Sequence, residues 1–395
     1  MQENNNRIPS LDIMKSIFFL LIINVSLITC KSTPKKEADE LHNKTSEVYS
    51  ENYRSSAIIG GDKVNNAAIP LGWPWRGVAI NSTNFDIDTD LREIKDLGAN
   101  FVSIYLKPKA FQQKSNLGVS SSFEDNFAFI DSVLDKCKSL DMYAMIYFSD
   151  FPSDRNKNFK AFNTDFWDNE KELNLAFAEI KSVIDRFKNR GDELQAYQFI
   201  GEPLLKLNGK NIAPPKWNDF FKRVFNYLQE NDTSRYLIYA PGPGGGANGF
   251  KDIEPIVDSP KIIYSLHYYE PLVYTHQGIK HRKTAYEYPG RIRLKYWDKD
   301  AVENSLAPLL HFRDKYNKLI LVGEFSAIYS AKGWENYLED ILSVFEEKQF
   351  SYAYNKWNGY PGWALSNTTQ VESKEQKKRI DILATYWKLN QSSKK

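Results

Sequence analysis

Short, nearly continuous apolar runs alternate along the chain with longer stretches of helical periodicity. The runs are 75–80 (WRGVAI), 100–106 (NFVSIYL), 142–148 (MYAMIYF), 196–200, 235–240 (RYLIYA), 261–267 (KIIYSLH), 319–323 and 350–354 (FSYAY). They are rich in β-branched and aromatic residues and lack a polar face, which predicts strands buried on both sides. The spacing predicts helices over 88–98, 123–140, 165–190, 215–231, 301–316 and 333–348. The link after 235–240 carries only a short helix candidate near 252–257. Strand–helix alternation on this scale predicts an α/β fold, the (β/α)8 TIM barrel, with a doubly wound sheet as the alternative. With no repeat and no second linker, 57–390 reads as one domain.

Two of these strands end on a carboxylate. LILVGEFSAI, 319–328, presents Glu324 after a buried run, and AYQFIGEP, 196–203, presents Glu202 in the same way. An ionised carboxyl is costly to bury unless it is paired or hydrogen-bonded. In a barrel both strand ends open onto the C-terminal face, where active sites are built. One carboxylic acid and one carboxylate flanking a sugar bond are what glycoside hydrolysis requires.

Composition narrows the field. The net charge of +2 gives no electrostatic case for nucleic acid as a partner. Aromatic residues make up 14% of the chain, which suits sugar rings and cores alike. Near the N-terminus, Met14 and Lys15 precede an apolar run, 17–29, that ends at Cys30. That run is too short to span a bilayer and fits the apolar core of a signal peptide. LITC, 27–30, is similar to a bacterial lipoprotein cleavage box, with Thr29 looser than the usual small residue. The expectation is a leader over 1–30, a lipid anchor on Cys30, and export to the cell envelope or cell surface. A polar tether follows over 31–56, and a polar tail covers 391–395. The only other cysteine, Cys137, falls in a helical pattern and reads as a small buried hydrophobe.

Further residues carry a family likeness. YSLHYYEPLVYTHQGI, 264–279, resembles the sixth-strand region of glycoside hydrolase family 5, the cellulase family, in which a His-x-Tyr pair lines the pocket. His267 and Tyr269 match that pair. VGEFSAI, 322–328, resembles the family's nucleophile strand. WRGVAINS (75–82), IKDLGANFVSI (94–104) and PGWAL (361–365) follow in family order. The resemblance implies retaining cleavage of a β-linked poly- or oligosaccharide, with Glu324 as nucleophile, Glu202 as acid/base, no cofactor, and a monomer. Tyr269 would then hydrogen-bond Glu324, and His267 a substrate hydroxyl.

Departures from the family pattern fall around these residues. Ser103 stands where the family has an Arg on strand 2, and Gly201 where it has the Asn before the acid/base glutamate. YFSD, 147–150, has no His at the end of strand 3. The Trp platform of strand 8 best matches Tyr352, with Trp357 and Trp363 nearby. Gly201 would leave space in the subsite, which suggests a bulkier sugar or relaxed selection. A binding barrel without hydrolysis and a transglycosylase are the competing readings. His276 and His281 match no metal-ligand spacing, so no metal is expected. The glycine-rich PGPGGGANG, 241–249, lacks the Lys-Ser/Thr of a phosphate loop and reads as a strand-to-helix loop bordering the cleft. The tyrosines after strand 6 read either as a sugar platform or as a self-packed loop.

Overall fold

The computed structural model describes residues 69–107, 119–148, 164–279, 282, 285–366 and 373–392. Cys30, the leader, the tether and His281 lie outside them. Twelve strands are present among the described residues: β1 Arg76–Ile80, β2 Phe101–Leu106, β3 Tyr143–Phe148, β4 Leu194–Phe199, β5 Leu205–Leu207, β6 Lys210–Ile212, β7 Tyr236–Tyr239, β8 Ile262–Tyr268, β9 Gly290–Ile292, β10 Lys295–Trp297, β11 Ile320–Phe325 and β12 Ser351–Tyr354. Eight of them close a barrel in the order β1-β12-β11-β8-β7-β4-β3-β2. Every pairing in it is parallel. The predicted barrel is therefore the observed fold, and each barrel strand overlaps one predicted run.

Parity along each strand divides the core into two. Trp75, Ala79, Phe101, Tyr105, Met145, Tyr147, Ala196, Ile238, Ile263, Leu321 and Ala353 fill the barrel interior. Their neighbours one residue along, such as Val78, Val102, Ile146 and Val322, pack outward against the helices. The remaining strands form two antiparallel hairpins, β5–β6 after β4 and β9–β10 after β8. Sequence periodicity misses both because they are short and largely exposed. The predicted helix 301–316 is two helices, Lys299–Ser305 and Ala307–Tyr316. Pro308 sits in the first turn of the second, where its missing N–H costs nothing. The helix expected near 252–257 is instead a single 3-10 turn, Ala247–Phe250.

Candidate active site

Glu324 faces the barrel mouth because β11 breaks its own alternation. Leu321 points inward and Val322 outward, so a regular strand would turn Glu324 out toward the helices. The pairing with β8 shifts register between Val322 and Glu324, leaving Glu324 opposite His267. One extra residue in a strand re-aims the side chain that follows it. That residue is Gly323, where a Cβ would lie 2.8 Å from Ser265 Oγ. A side chain at 323 would therefore collide with β8.

Once inward, the Glu324 carboxylate is wrapped by donors. The Tyr105 hydroxyl donates to Oε1 at 2.6 Å, and the Tyr269 hydroxyl donates to Oε2 at 2.9 Å. The Asn355 amide donates to Oε2 at 2.9 Å and to the Tyr269 hydroxyl at 2.6 Å. Burial alone would raise the Glu324 pKa. The His267 charge and the two tyrosine hydrogen bonds outweigh it and hold the carboxyl below its usual range. The tyrosines are pushed well above theirs, by burial first and then by the Glu324 charge, so they remain donors.

Glu202 leaves β4 through a different local device. Ile200 adopts φ 64°, a left-handed conformation that is unfavourable for a β-branched residue, and the strand ends there. The glycine-rich loop braces the turn from behind. Gly244 N–H donates to Pro203 O at 2.8 Å, and a Cβ on Gly245 would lie 2.4 Å from Gly201 O. Only a glycine permits that approach, which accounts for part of the PGPGGGANG run. The Glu202 side chain is 45% exposed, against 13% for Glu324.

His267 joins the two carboxylates. Its Nδ1 lies 3.0 Å from Glu202 Oε1 and 3.7 Å from Glu324 Oε2. Burial pulls its pKa down, but the Glu324 charge and the Glu202 hydrogen bond more than offset that and raise it. One oxygen of each glutamate and a His267 ring nitrogen all lie within 4.8 Å of one another. Among the described residues this is the one donor set that could hold a metal ion. Both Glu324 oxygens already accept hydrogen bonds, so the set is better matched to proton transfer and carboxylate nucleophilic chemistry than to a coordination shell.

Several expected pocket residues sit elsewhere. Tyr352 is corrected: it is fully buried, packs on Phe325 and Phe345, and donates to Glu346 Oε1 at 2.8 Å behind the barrel wall. Parity decides this, because Ala353 takes the inward position on β12. Ser103 points into the lumen but is fully buried, two residues below Tyr105 on the same strand face. His267, expected to bond a substrate hydroxyl, is nearly enclosed. Its side chain is 2% exposed, with Nδ1 toward both carboxylates and Nε2 buried without a hydrogen-bond partner. Gly201 does not leave a void, since a Cβ there would meet Tyr147 Oη at 2.7 Å and His267 Nε2 at 2.8 Å.

Tyr269 and Trp363 are only half-buried and border the cleft. Their rings lie 6.4 Å apart, with His276 at 5.0 and 4.8 Å from them and the half-exposed Tyr360 at 5.4 Å from Trp363. Burial pushes the His276 imidazole down to about 4, so it is a neutral spacer. The other tyrosines after strand 6 divide. Tyr268, Tyr274 and Tyr288 are buried, Tyr274 and Tyr288 against Tyr337, while Tyr296 is exposed. Sequence reasoning missed Tyr105, Tyr147 and Asn355. The available signal for Tyr105 was its position two residues after Ser103 in a strand, hence on the same face.

The sequence profile of the cellulase family, glycosyl hydrolase family 5, matches residues 61–361. The chain belongs to glycosyl hydrolase family 5. It is 23% identical over 321 residues to endoglucanase C of Acetivibrio thermocellus, covering 73% of this chain and 88% of that protein. Cellodextrinase A of Ruminococcus flavefaciens is 22% identical over 283 residues, covering 68% and 77%. Among solved structures, endoglucanase Cel5A of Thermotoga maritima superposes with a TM-score of 0.62 at 17% identity over 78% of this chain and 97% of its own. The cellulose synthase subunit Z of Clostridioides difficile gives 0.61 at 17%, covering 78% and 99%. This family 5 protein is a glycoside hydrolase whose barrel mouth carries two glutamates, Glu202 after the fourth barrel strand and Glu324 on the seventh. No helix among the described residues is long and apolar enough to cross a membrane.

Proposed function

We propose that the protein cleaves β-linked oligo- or polysaccharides with retention, through a glycosyl-enzyme on Glu324. One observation carries the reading: the two carboxylates approach within 4.8 Å while the His267 charge and the tyrosine hydrogen bonds hold Glu324 ionised. Retaining pairs stand about 5–5.5 Å apart, and inverting pairs about 6.5–9.5 Å, to admit a water. In the first step a Glu324 oxygen attacks the anomeric carbon. The bond to the leaving oxygen breaks, and Glu202 supplies the proton. In the second step Glu202 takes a proton from water, the resulting oxygen attacks the same carbon, and the glycosyl–Glu324 ester opens. Tyr105, Tyr269 and Asn355 keep the Glu324 oxygens oriented throughout and act as positioning residues.

The losses that favoured a mere binding barrel are compensated by other groups. Tyr105 supplies the hydrogen bond that an Arg at 103 would give, and Tyr147 fills the space above Gly201. Trp363 and Tyr269 offer the aromatic edge for a sugar ring. Export with a lipid anchor at Cys30 belongs to the same proposal and rests on residues 17–30; the intact mass of the mature chain tests it.

Glu324→Gln is the decisive variant. It keeps shape and removes the nucleophile, so kcat on a responsive β-glucan, mannan or xylan should fall at least about a hundredfold with binding retained. Proton NMR of the wild-type reaction should show the β-anomer of the product first. Near-normal turnover by Glu324→Gln, or initial release of the α-anomer, would overturn the assignment.

A further inference from the structure

Two lysines stand at the barrel mouth beside Glu324. Lys107 follows β2 and Lys356 follows β12, the two strands that flank β1. The Lys107 ammonium lies 5.1 Å from the centre of the Tyr105 ring, whose hydroxyl is bonded to Glu324 Oε1. Lys356 comes directly after Asn355, whose amide is bonded to Glu324 Oε2. Its stem lies across Gly359, where a Cβ would come within 2.4 Å of Cε and 2.9 Å of Nζ. Both side chains are half-buried. Neither forms an ion pair among the described residues, although the protein forms many elsewhere.

Each lysine feels the Glu324 charge, and Lys356 also feels Lys107. Burial, and then Lys107, bring the Lys356 ammonium down to about 8. Glu324 already accepts three hydrogen bonds from neutral donors. Two half-buried cations that repel each other are therefore present without a dedicated counter-charge. Such an arrangement is a cost in the empty protein that an anion close to both would relieve. A neutral sugar would not relieve it. An anionic sugar, for its part, could enter a cleft holding two carboxylates only if cations were provided.

We propose that the cleft selects an anionic glycan, with a carboxylate or sulfate ester on the sugar beside Glu324 held by Lys107 and Lys356. The inference rests on the glycosidase reading for the placement of that sugar, but its test does not require turnover. The inert Glu324→Gln protein would be titrated calorimetrically with three probes. These are a β-1,4-linked glucose tetrasaccharide, the same backbone oxidised to carboxylate at C6, and the same backbone sulfated at C6. An anionic probe should bind about ten- to hundredfold more tightly than the neutral one, and the advantage should shrink as salt rises. The two anionic arms distinguish carboxylate from sulfate.

In the same background, Lys356→Met and Lys107→Met should each cut the anionic-to-neutral affinity ratio about tenfold, while Lys356→Arg keeps most of it. Should the lysines serve only to keep Glu324 ionised, neither substitution would change the affinity ratio in the Glu324→Gln background, and the inference falls. It falls equally if the neutral probe binds as well as the anionic ones, or if none binds. Hydrolysis of neutral glucan without anion preference would defeat this inference and leave the glycosidase standing. Anion-selective binding with no hydrolysis by the wild type would do the reverse.

Discussion

Two of the glutamates that this barrel withdraws from water, Glu346 and Glu324, are balanced in different ways. Glu346, behind the wall, meets a full cation: Arg76 donates to both its oxygens at 2.7 Å, and Tyr352 adds a third bond at 2.8 Å. Arg76 in turn donates to Asn390 Oδ1 at 2.8 Å, and the pair is 9% and 7% exposed. Glu324, at the mouth, also has a tyrosine on Oε1, but its close donors are two hydroxyls and an amide. Its cationic help comes from His267 at 3.7 Å and from lysines further off. A carboxylate matched by a bidentate guanidinium is closed to chemistry and fastens β1 to the helix Trp334–Glu347. A carboxylate held by neutral donors, with a histidine charge close by and no bidentate guanidinium, stays charged, oriented and able to form a bond.

The largest effect should come from breaking the closed pair. Glu346→Leu leaves the Arg76 charge buried without its partner, which should cost about 3–5 kcal/mol of stability in denaturant unfolding. Activity per folded molecule should persist, because the pair lies outside the mouth. The double variant Arg76→Met/Glu346→Leu should recover most of the loss, since a buried ion pair replaced by apolar groups is close to neutral. Failure of the double variant to recover would mean that the pair contributes more than charge balance.

On the other side, Tyr105→Phe removes one hydrogen bond to a charged acceptor, worth about 1.5–3 kcal/mol. That loss should appear in kcat/KM as roughly a ten- to hundredfold drop. The pH profile gives a readout that a packing defect would not move. Tyr105 helps to hold the Glu324 pKa down, so without it the folded-state value rises. The carboxylate form is then lost at a higher pH on acidification, and the acid limb of kcat/KM moves upward. An unmoved limb would show that Tyr105 is only a wall.

The same two carboxylates explain what the sequence could and could not disclose. Glu202 and Glu324 were legible because a charged residue at the end of an apolar run is exceptional. The barrel was legible because its strands are uniformly apolar and evenly spaced. The roles of Ser103 and Gly201 were not, because a sequence records a missing side chain but not what enters its place. Tyr105 and Tyr147, on β2 and β3, enter from the lumen, and their reach is set by the barrel's stagger. Gly323 was visible as a residue, yet only the register against β8 reveals it as the point that turns Glu324 inward. Lys107 and Lys356 lie 249 positions apart in the chain, and only closure of the barrel around β1 brings them to one side of the mouth.

Tyr352 offers the mildest and most direct test, because the family pattern and the structure assign it opposite places. In FSYAY the period of two leaves both parities open, since every position is apolar or small and either face could turn inward. The structure resolves it with Ser351 and Ala353 inward, and Tyr352 and Tyr354 outward. Ser351 Oγ accepts from the Trp75 N–H at 2.7 Å, which fixes that register at the start of β12. Tyr352→Phe should therefore remove one neutral-to-charged hydrogen bond in a pair already satisfied by Arg76, at a cost of about 1.5 kcal/mol in stability, the lower end for a bond to a charged group. Glu346 Oε1 keeps its Arg76 bond, so no bare charge is left behind. KM and kcat should stay at wild-type values on any substrate that the enzyme cleaves. A raised KM with unaltered stability would return Tyr352 to the cleft, shift β12 by one residue, and dissolve the distinction between the closed carboxylate and the open one.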